Sequence, residues 1–564
     1  MKQNITDILH DKTKLPKEEI EKLIEIPPRT ELGDYSFPCF ILSNPKNYDD
    51  MWKDVEKDFF TKKSPVEIAN HLKDLINSEK LDEIEKIDSK GPYLNFYVNK
   101  KQLIKNVLAK ALKIDYGAGK EKQKILLEHT SINPNASPHV GRARNSIIGD
   151  SIYRILSFQG NKVERHYYVN DVSKQIAMLA LNFKKGDTFQ DMLQRYIEIS
   201  NKVAKSPELE KQVFELLEKF EHGDKKITAL FKKIVDLCVN GQKKIFSNFG
   251  IEFDYFDYES KYIGKPSQDI LKKLKKTGKL FEDKEGRLVL DQSNTHLTGK
   301  MRAPYFVLAR SNGTSLYPLR DLSYTLEKMK HGKNIIILGE DHKLYFEQIS
   351  EALKILGHKA PEAVHYSFVL LQTDSGTKKM STRRGELVLL EDFYDVSIKK
   401  ANAEIKKRET KGDAHKISIG AIKYAMLRND NEKNINFSWE QSLNFEGESG
   451  PYLQYAYARA SSILKKSRTN KKFKIPEQPS KSEFTLIKKI AEFPEVIKDA
   501  SKKLNPSIVA NYSFTLAKTF NEFYHNNKVI GSNEEPFRLK LIEAFRITIK
   551  NSLYLLGIET MEEM

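Results

Sequence analysis

The chain has 564 residues, and at roughly 150 residues per domain this length suggests about three or four domains. Charged residues make up 30% of the chain and its formal net charge is +17, which favours a polyanionic partner such as nucleic acid or an anionic membrane. The two cysteines, Cys39 and Cys238, exclude a disulfide framework, and no apolar run approaches the ~18 residues of a membrane span, so we expect a cytoplasmic protein with no structural metal.

The first 115 residues combine helical and strand patterns. Alternation and aromatic content predict a strand over Tyr93–Val98, and the glycine-containing stretch 116–120 is interpreted as a linker. One amphipathic helix is predicted by apolar residues at helical spacing: Ile68, Leu72, Leu75 and Ile76. We therefore predict an α+β N-terminal domain over residues 1–115.

A nucleotide-binding α/β pattern begins after this point. A buried strand over 124–128 is followed by a turn-rich loop, a helix over 140–158 that stops at Gly160, and a second strand over 163–169. Residues 176–265 are helical and charged, and we interpret them as an insertion. The alternation then resumes with three strands and two helices: 305–308, 334–338 and 365–371, with helices over 319–329 and 344–356.

These elements predict a Rossmann-type parallel sheet over residues 116–400, split by the helical insertion. Strand patterns stop after about residue 400. The rest, 401–564, is predicted to be an all-α domain whose last helix, 539–556, is capped by Gly557.

The first chemical constellation is the loop from Asn133 to Arg142, between a buried strand and a helix. A helix N-terminus presents free N–H groups and a positive dipole end to phosphate, and His139 is placed to donate to a phosphate oxygen. Gly141 leaves room for a flat base, while Arg142 and Arg144 add fixed charge. The alternative is a capped helix with a solvent-facing histidine.

The second constellation is a basic loop with four cations: Lys378, Lys379, Arg383 and Arg384. Such a loop can stabilise charge developing on the α-phosphate and on leaving pyrophosphate. Taken alone, it is better interpreted as a solvated surface loop. Because the two loops follow the first and last strands of the predicted core, we expect both at the carboxyl ends of parallel strands, where nucleotides bind. No Walker loop occurs near either.

These two loops resemble the HIGH and KMSKS motifs of class I aminoacyl-tRNA synthetases. The flanking sequence is more specific and resembles the arginyl-tRNA synthetase family along nearly the whole chain. The resemblance is carried by segments in all three predicted domains: 26–38, 91–96, 127–150, 317–321, 447–456 and 553–564. It implies a Rossmann catalytic core, an N-terminal tRNA-binding domain and a helical anticodon-binding domain.

The resemblance also implies the reaction. Arginine and ATP, accompanied by Mg²⁺, give arginyl-adenylate and pyrophosphate, and the 2′-hydroxyl of the terminal adenosine of tRNA(Arg) then takes the arginine. The family generally requires tRNA for the first step. We expect a monomer without membrane association, and no editing domain is required, because a site built on polar pairing can reject analogues by ~10⁴ or more.

Matched residue by residue, the family's sites fall on named positions. Catalysis and ATP binding are assigned to the two loops: Pro138, His139, Gly141, Arg142, Lys379, Met380, Ser381 and Arg383. Arginine binding is assigned to a carboxylate set with neighbouring polar groups: Glu128, Asn133, Tyr317, Asp321 and His342. A carboxylate holds a guanidinium bidentately, and Tyr317 and Asp321 share a face if a helix begins there. Binding of tRNA is assigned to aromatic and polar residues: Asn99, Tyr452, Tyr455, Tyr524 and Met564.

Structural alternatives accompany several of these assignments. Asp321 could be a helix cap or a partner of Arg320, Glu128 a strand-end charge, and the tyrosines ordinary core residues. Three positions depart from the family pattern: Arg142 replaces the second HIGH histidine, Thr382 the second KMSKS lysine, and His342 a glutamine. Variants with Arg and Thr at the first two places occur in the family, so we do not interpret them as inactivation.

Two other functions fit part of the sequence. A nucleic-acid-binding module that has lost catalysis would explain the charge and the helical C-terminal domain. A different class I synthetase or a small adenylyltransferase would explain the two loops, although the latter would not need the long helical C-terminal region.

Overall fold

The computed structural model describes residues 2–27, 29–43, 60, 62–77, 81–135, 137–301, 303–373, 376–379, 388–467 and 473–564. The chain divides into two compact units. One unit comprises Met1–Lys113, Thr469–Ala491 and Asn526–Ala544, and the other comprises Ile114–Arg468, Glu492–His525 and Phe545–Met564. The predicted domain boundaries at 115 and 400 stay a prediction, and residue 400 lies within a helix.

The first unit contains a three-stranded antiparallel sheet in the order β1-β3-β2. Its strands are β1 (Tyr35–Pro38), β2 (Ile84–Lys90) and β3 (Tyr93–Val98), and its helices before residue 114 are α1 (Lys2–Thr13), α2 (Lys17–Leu23), α3 (Pro65–Asn77) and α4 (Lys100–Ala111). Ile68, Leu72 and Ile76 of α3 enter the apolar core of this unit, but Leu75 is 38% exposed. The predicted helix and strand are confirmed, and only the burial of Leu75 differs.

The second unit is built on a five-stranded sheet in which every neighbouring pair is parallel. The order is β11-β10-β4-β5-β6, with β4 (Lys124–Glu128), β5 (Lys162–Val169), β6 (Tyr255–Tyr258), β10 (Lys333–Gly339) and β11 (Glu362–Tyr366). Between β4 and β5 lies α5 (Val140–Phe158), as the apolar periodicity predicted. The predicted parallel core with flanking helices is therefore confirmed.

Three parts of the predicted sheet differ from the structure: one strand was missed, one confirmed strand joins another sheet, and one predicted strand is divided. The strand β6 falls inside the predicted insertion, yet it pairs with β5 in the central sheet, so the helices inserted between β5 and β6 end at residue 248. The strand β9 (Tyr305–Ala309) lies outside this sheet, in an antiparallel sheet with β7 (Leu280–Glu282) and β8 (Leu288–Asp291). The predicted strand 365–371 is two strands, because the chain leaves the central sheet between residues 366 and 369.

The second of these strands, β12 (Val369–Thr373), belongs to another small sheet. It pairs antiparallel with β13 (Gly376–Lys379) and parallel with β14 (Ile435–Phe437). The basic loop therefore follows β13 in this small sheet and not a strand of the central sheet, which corrects the predicted placement. The strand β14 also corrects the expectation that strands stop after residue 400.

Helices make up most of the remaining described chain. The inserted helices are α6 (Lys174–Asn182), α7 (Asp191–Val203), α8 (Pro207–Glu221) and α9 (Lys225–Asn248). Those that follow are α10 (Lys265–Lys276), α11 (Tyr317–Lys328), α12 (Lys343–Ile355), α13 (Leu390–Arg408), α14 (Ala414–Leu427), α15 (Trp439–Ser442), α16 (Gly450–Lys466), α17 (Lys481–Ala491), α18 (Phe493–Lys503), α19 (Ser507–Asn526) and α20 (Glu535–Leu555). The predicted linker at 116–120 is packed, since Tyr116 is buried against Phe493.

Candidate active site

The loop between β4 and α5 has an unusual backbone. Thr130 and Ser131 are both left-handed, with φ of 75° and 42°, a conformation that a β-branched residue adopts only under constraint. The Thr130 N–H donates to Asn145 Oδ1 at 2.8 Å, and its hydroxyl donates to Ser146 Oγ at 3.0 Å. Residues on α5 therefore hold the loop in this shape as it leaves the carboxyl end of β4.

His139 stands at the N-cap position of α5 without making a side-chain cap bond. Burial, reinforced by the charge of Arg142, lowers the pKa of His139 to about 4, so the imidazole is neutral near pH 7. Its Nδ1 atom is buried and finds no hydrogen-bond partner among the described residues. The backbone on either side is fixed, because the Val140 N–H donates to Val388 O and the Leu390 N–H donates to Pro138 O. An imidazole with an unpartnered nitrogen, placed at the positive end of a helix dipole, suits a phosphate-bearing ligand.

One turn further along, Arg142 lies beside the end of β10. Its Nη2 atom is 3.7 Å from Asp341 Oδ2, and both side chains are well exposed. His342 Nε2 is 3.8 Å from the same carboxylate oxygen, and burial lowers the pKa of this histidine. Asp341 thus joins Arg142 and His342, which the sequence had assigned to different ligands. Gly141 is partly exposed at the same helix end.

Arg144 does not contribute charge to this surface. Its side chain is fully buried, and its guanidinium donates to the main-chain oxygens of Ser367, Asp430 and Lys433 at 2.6–3.0 Å. Burial lowers its pKa to about 10. The sequence-based view of Arg144 as a ligand charge is therefore wrong, and the residue instead ties α5 to the segment before β14.

A second cluster lies on α11, where Tyr317 is the first residue and Asp321 follows one turn later. The hydroxyl of Tyr345 donates to Asp321 Oδ2 at 2.7 Å, and that of Thr325 donates to Oδ1 at 3.3 Å. The Tyr317 ring is 5.0 Å from the Tyr345 ring and 53% exposed. Burial, with the nearby charge of Glu128, raises the pKa of Asp321 to about 6. The alternatives of a helix cap or a partner for Arg320 do not apply to Asp321.

Glu128, at the end of β4, belongs to the same cluster. Its Oε2 is ion-paired with Lys328 Nζ, and both side chains are buried. Its Oε1 lies at the limiting distance of 3.5 Å from the Ser131 hydroxyl. Asn133 is exposed in the adjoining loop, and its main-chain oxygen accepts from Gln242 Nε2 at 3.1 Å. A single loop thus connects the two predicted sites. It begins after Glu128, which is assigned to arginine binding, and it leads to His139, which is assigned to ATP binding.

The basic loop is only partly described. Lys379 ends β13, where its backbone lies opposite Leu370. Met380, Ser381 and Arg383 lie outside the described residues. Their assignment, and that of the Lys379 side chain, stays a prediction.

The predicted tRNA-binding residues fall in both units. In the second unit, the Tyr452 hydroxyl accepts from Asn521, and the Tyr455 hydroxyl accepts from Arg459 at 2.9 Å. The Arg459 guanidinium lies 4.6 Å from the Tyr455 ring and 5.6 Å from the ring of Tyr524, which is 41% exposed. The structure therefore groups the three predicted tyrosines around Arg459.

The other two predicted tRNA contacts are separate from this cluster. Met564 packs partly buried against the apolar cluster of Ala401, Ile417, Phe445 and Met561. Asn99 in the first unit caps α4, its Oδ1 accepting from the Gln102 N–H at 3.0 Å. This cap provides a structural reason for Asn99 that does not involve RNA.

Sequence reasoning missed several residues of these clusters: Lys328, Tyr345, Asp341, Arg459 and Asn521. Lys328 follows Asp321 by two helical turns, so helical periodicity could have placed it on the same face. Arg459 follows Tyr455 by one turn and could have been found in the same way. Tyr345, Asp341 and Asn521 reach their partners from other elements, and no local pattern indicates those pairings.

Among the described ranges, no helix is long and apolar enough to cross a membrane, and no group of three or more His, Cys, Asp or Glu is arranged to hold a metal ion. The prediction that the protein has no structural metal stays a prediction.

Comparison with known proteins agrees with this arrangement. A family model described as "tRNA synthetases class I (R), catalytic domain" matches residues 103–439. Models of the arginyl-tRNA synthetase N-terminal domain and of the DALR anticodon-binding domain match residues 1–98 and 453–564. The parallel sheet and its loops thus form the catalytic domain of a class I aminoacyl-tRNA synthetase.

The similarity extends over whole relatives. The arginine–tRNA ligase of Methanocaldococcus jannaschii is 36% identical over 589 residues, covering 99% of each chain, and that of Clostridium perfringens is 34% identical with 100% coverage of each. The solved arginyl-tRNA synthetase of Thermus thermophilus has the same fold, with a TM-score of 0.80 at 24% identity and full coverage of both chains. This chain belongs to the arginyl-tRNA synthetase family.

Proposed function

We propose that this protein uses ATP to activate L-arginine as arginyl-adenylate and transfers the arginine to the 2′-hydroxyl of the terminal adenosine of tRNA(Arg). The observation that carries the proposal is Asp321, a partly buried carboxylate whose hydrogen-bond partners among the described residues are hydroxyls and not cations. A guanidinium is a cation with rigid, planar N–H donors, and it can therefore supply the charged partner that this carboxylate does not have. Full-length family membership supplies the class of reaction.

In this proposal, the guanidinium binds between Asp321 and the exposed face of Tyr317, with Glu128 next to it. Asn133 and His342 lie towards the α-amino and α-carboxylate groups of the amino acid. The neutral His139 imidazole and the positive dipole end of α5 hold ATP, with Pro138 and Gly141 leaving space for the nucleotide. Arg142 stabilises negative charge on the phosphates.

The basic loop completes this assignment as a proposal. Lys379 and Arg383 stabilise the pyrophosphate leaving group, and Met380 and Ser381 contact ATP. Mg²⁺ enters with ATP as part of the substrate. The protein acts as a cytoplasmic monomer, a compartment with which the buried free thiols of Cys39 and Cys238 agree.

For tRNA, we propose that Tyr452, Tyr455 and Tyr524 stack with splayed anticodon-loop bases, each base being worth roughly 1–3 kcal/mol. Met564 offers a soft apolar contact near the same domain. Asn99 caps α4, and we propose that it contacts tRNA in addition to this structural role.

The deciding experiment is aminoacylation of total tRNA with labelled arginine, ATP and Mg²⁺, alongside a parallel series with labelled lysine. We expect arginine-dependent, tRNA-dependent charging and no lysine charging. Arginine-dependent pyrophosphate exchange is expected only when tRNA is present. Binding of tRNA by folded protein with no charging would instead support the alternative of a binding module without catalysis.

A further inference from the structure

Lys328 is a lysine whose side chain is buried. Lysine is almost never fully buried unless it is paired. Only 7% of the Lys328 side chain is exposed, and its Nζ contacts the equally buried Glu128. The same Nζ lies 4.0 Å from the centroid of the Tyr324 ring, whose hydroxyl donates to Asp257 at 2.7 Å. Lys328 is therefore fixed on two sides, by a carboxylate and by an aromatic face.

The two carboxylates of the cluster differ in their partners. Glu128 has a cation. Asp321, on the same helix as Lys328 and two turns before it, has as hydrogen-bond partners among the described residues the hydroxyls of Tyr345 and Thr325. When ionised, Glu128 and Asp321 each carry a charge of −1 and Lys328 carries +1. These three groups together therefore have a net charge of −1. One guanidinium would bring it to neutrality.

Two further carboxylates lie near the cluster, and each has a hydrogen-bond partner of its own. Glu259 is bonded to Arg320 at 2.5 Å, and Asp257 is bonded to His166 at 2.7 Å. The tyrosines near Asp321 add no charge near pH 7, since the ordinary tyrosine pKa is already about 10 and burial raises it further: Tyr168, Tyr317, Tyr324 and Tyr345. The charged groups that act most strongly on Asp321 are thus Glu128 and Lys328.

We propose that Lys328 is a specificity-determining residue of the arginine site, which neutralises Glu128 and so leaves Asp321 as the single unpaired carboxylate for one guanidinium. The inference rests on the proposed function. It assigns Glu128 a part in shaping the charge of the site, and it explains why a site with two carboxylates accepts a substrate side chain of single charge. Burying a second unpaired carboxylate would be strongly unfavourable.

The inference predicts a change in pH dependence when Lys328 is removed. The charge of Lys328 lowers the pKa of Asp321 and that of Glu128 raises it. In Lys328→Met, the unopposed Glu128 should raise the pKa of Asp321 further, typically by about one unit or more for a charge within a few ångströms. Since arginine binds the ionised carboxylate, the acid limb of kcat/KM for arginine should move to higher pH by the same amount.

The measurement is kcat/KM for arginine in the charging reaction between pH 5 and 8.5, with kcat/KM for tRNA followed in parallel. Lys328→Arg keeps the positive charge. The midpoint of its acid limb should lie within roughly 0.3 pH units of the wild-type midpoint, a much smaller shift than that expected for Lys328→Met. The matched control is Lys330→Met, which changes an exposed lysine in the turn that follows the same helix. The acid limb of this variant should equal that of the wild type.

A double variant separates charge from packing. Glu128→Gln/Lys328→Met removes both members of the buried ion pair and so adds no unpaired charge beyond Asp321, which is already unpaired in the wild type, so it should fold even if Lys328→Met does not. Its acid limb should return towards the wild-type position because the charge that raised the Asp321 pKa is gone. An unshifted limb in Lys328→Met, or a double variant that remains as shifted as the single one, would overturn the inference. Absence of arginine charging by the wild-type protein would instead overturn the proposed function itself.

Discussion

At the scale of single residues, the chemistry of the site depends on how burial acts on two ionisable groups. Burial raises the pKa of Asp321 to about 6, and Glu128 adds to the effect. Burial lowers the pKa of His139 to about 4. Near pH 7 the first is therefore an anion and the second is neutral, which gives one position for a cation and one uncharged donor for phosphate. The free side chains have the same charge states near pH 7, and the surrounding structure moves the pH at which each group titrates.

Asp321→Asn should lower kcat/KM for arginine by about 10³-fold, because an amide cannot supply the charge that a buried guanidinium needs, a loss of roughly 3–5 kcal/mol. In the wild type, kcat/KM for arginine should fall as the pH decreases through about 6, where Asp321 takes up a proton. The exposed Asp269→Asn on α10 is the control and should behave as the wild type. A near-normal KM for arginine in Asp321→Asn would remove this residue from the site.

Arg459 provides a second prediction at this scale. Its guanidinium contacts the rings of Tyr455 and Tyr524 and donates to Asn521 at 2.8 Å, so it holds the predicted stacking surface in place. Arg459→Met should raise KM for tRNA about tenfold and leave KM for arginine unchanged, since about 1–2 kcal/mol of cation–π and stacking contact is lost. The control is Lys466→Met at the end of the same helix. If Arg459→Met and Lys466→Met raised KM for tRNA equally, the effect would come from the loss of one positive charge and not from the contacts of Arg459 with the tyrosine rings.

At the scale of elements, local sequence patterns predicted the helices well but did not predict which strands pair with one another. The periodicity of apolar residues placed α5, α11 and α12 to within a few residues, because one buried face fixes a helix. It could not place β6 or β9, because which sheet a strand joins depends on a partner far along the chain. In the same way, family motifs indicated Asp321, whereas its partner Tyr345 and the pairing of Glu128 with Lys328 emerged only from the packed structure.

The position of α5 against β4 leads to a prediction. A Cβ atom added at Gly149 would lie 2.3 Å from the ring of His129, the residue that follows β4. Gly149→Ala must therefore push α5 away from the strand and shift His139 with it. We expect a loss of about 1–3 kcal/mol in stability, seen as a lower Tm, together with a reduced kcat. Gly299→Ala, where nothing lies within 4 Å, is the control and should change neither quantity.

At the scale of the whole molecule, α5 also connects the active site with the last residues of the chain inside the second unit. Asp150 on this helix accepts from Lys423 at 3.1 Å and from Arg154 at 3.0 Å, and Lys423 donates as well to the main-chain oxygen of Gly557. The Ser151 hydroxyl donates to Leu555 O at 2.8 Å. The helix that His139 precedes thus shares buried polar bonds with the residues around the end of α20, so the proposed nucleotide site and the C-terminal segment lie on the same packed unit.

The formal net charge of +17 distinguishes how the two substrates should respond to salt. Binding of tRNA releases condensed counterions, so KM for tRNA should rise steeply, by about tenfold or more, when KCl increases from roughly 50 to 200 mM. KM for arginine should change far less, because the Glu128, Lys328 and Asp321 charges are buried and weakly screened. Steady-state charging with each substrate varied in turn measures both values. A parallel rise in the two KM values would mean that salt acts on the folded protein and that the positive charge is not directed at RNA.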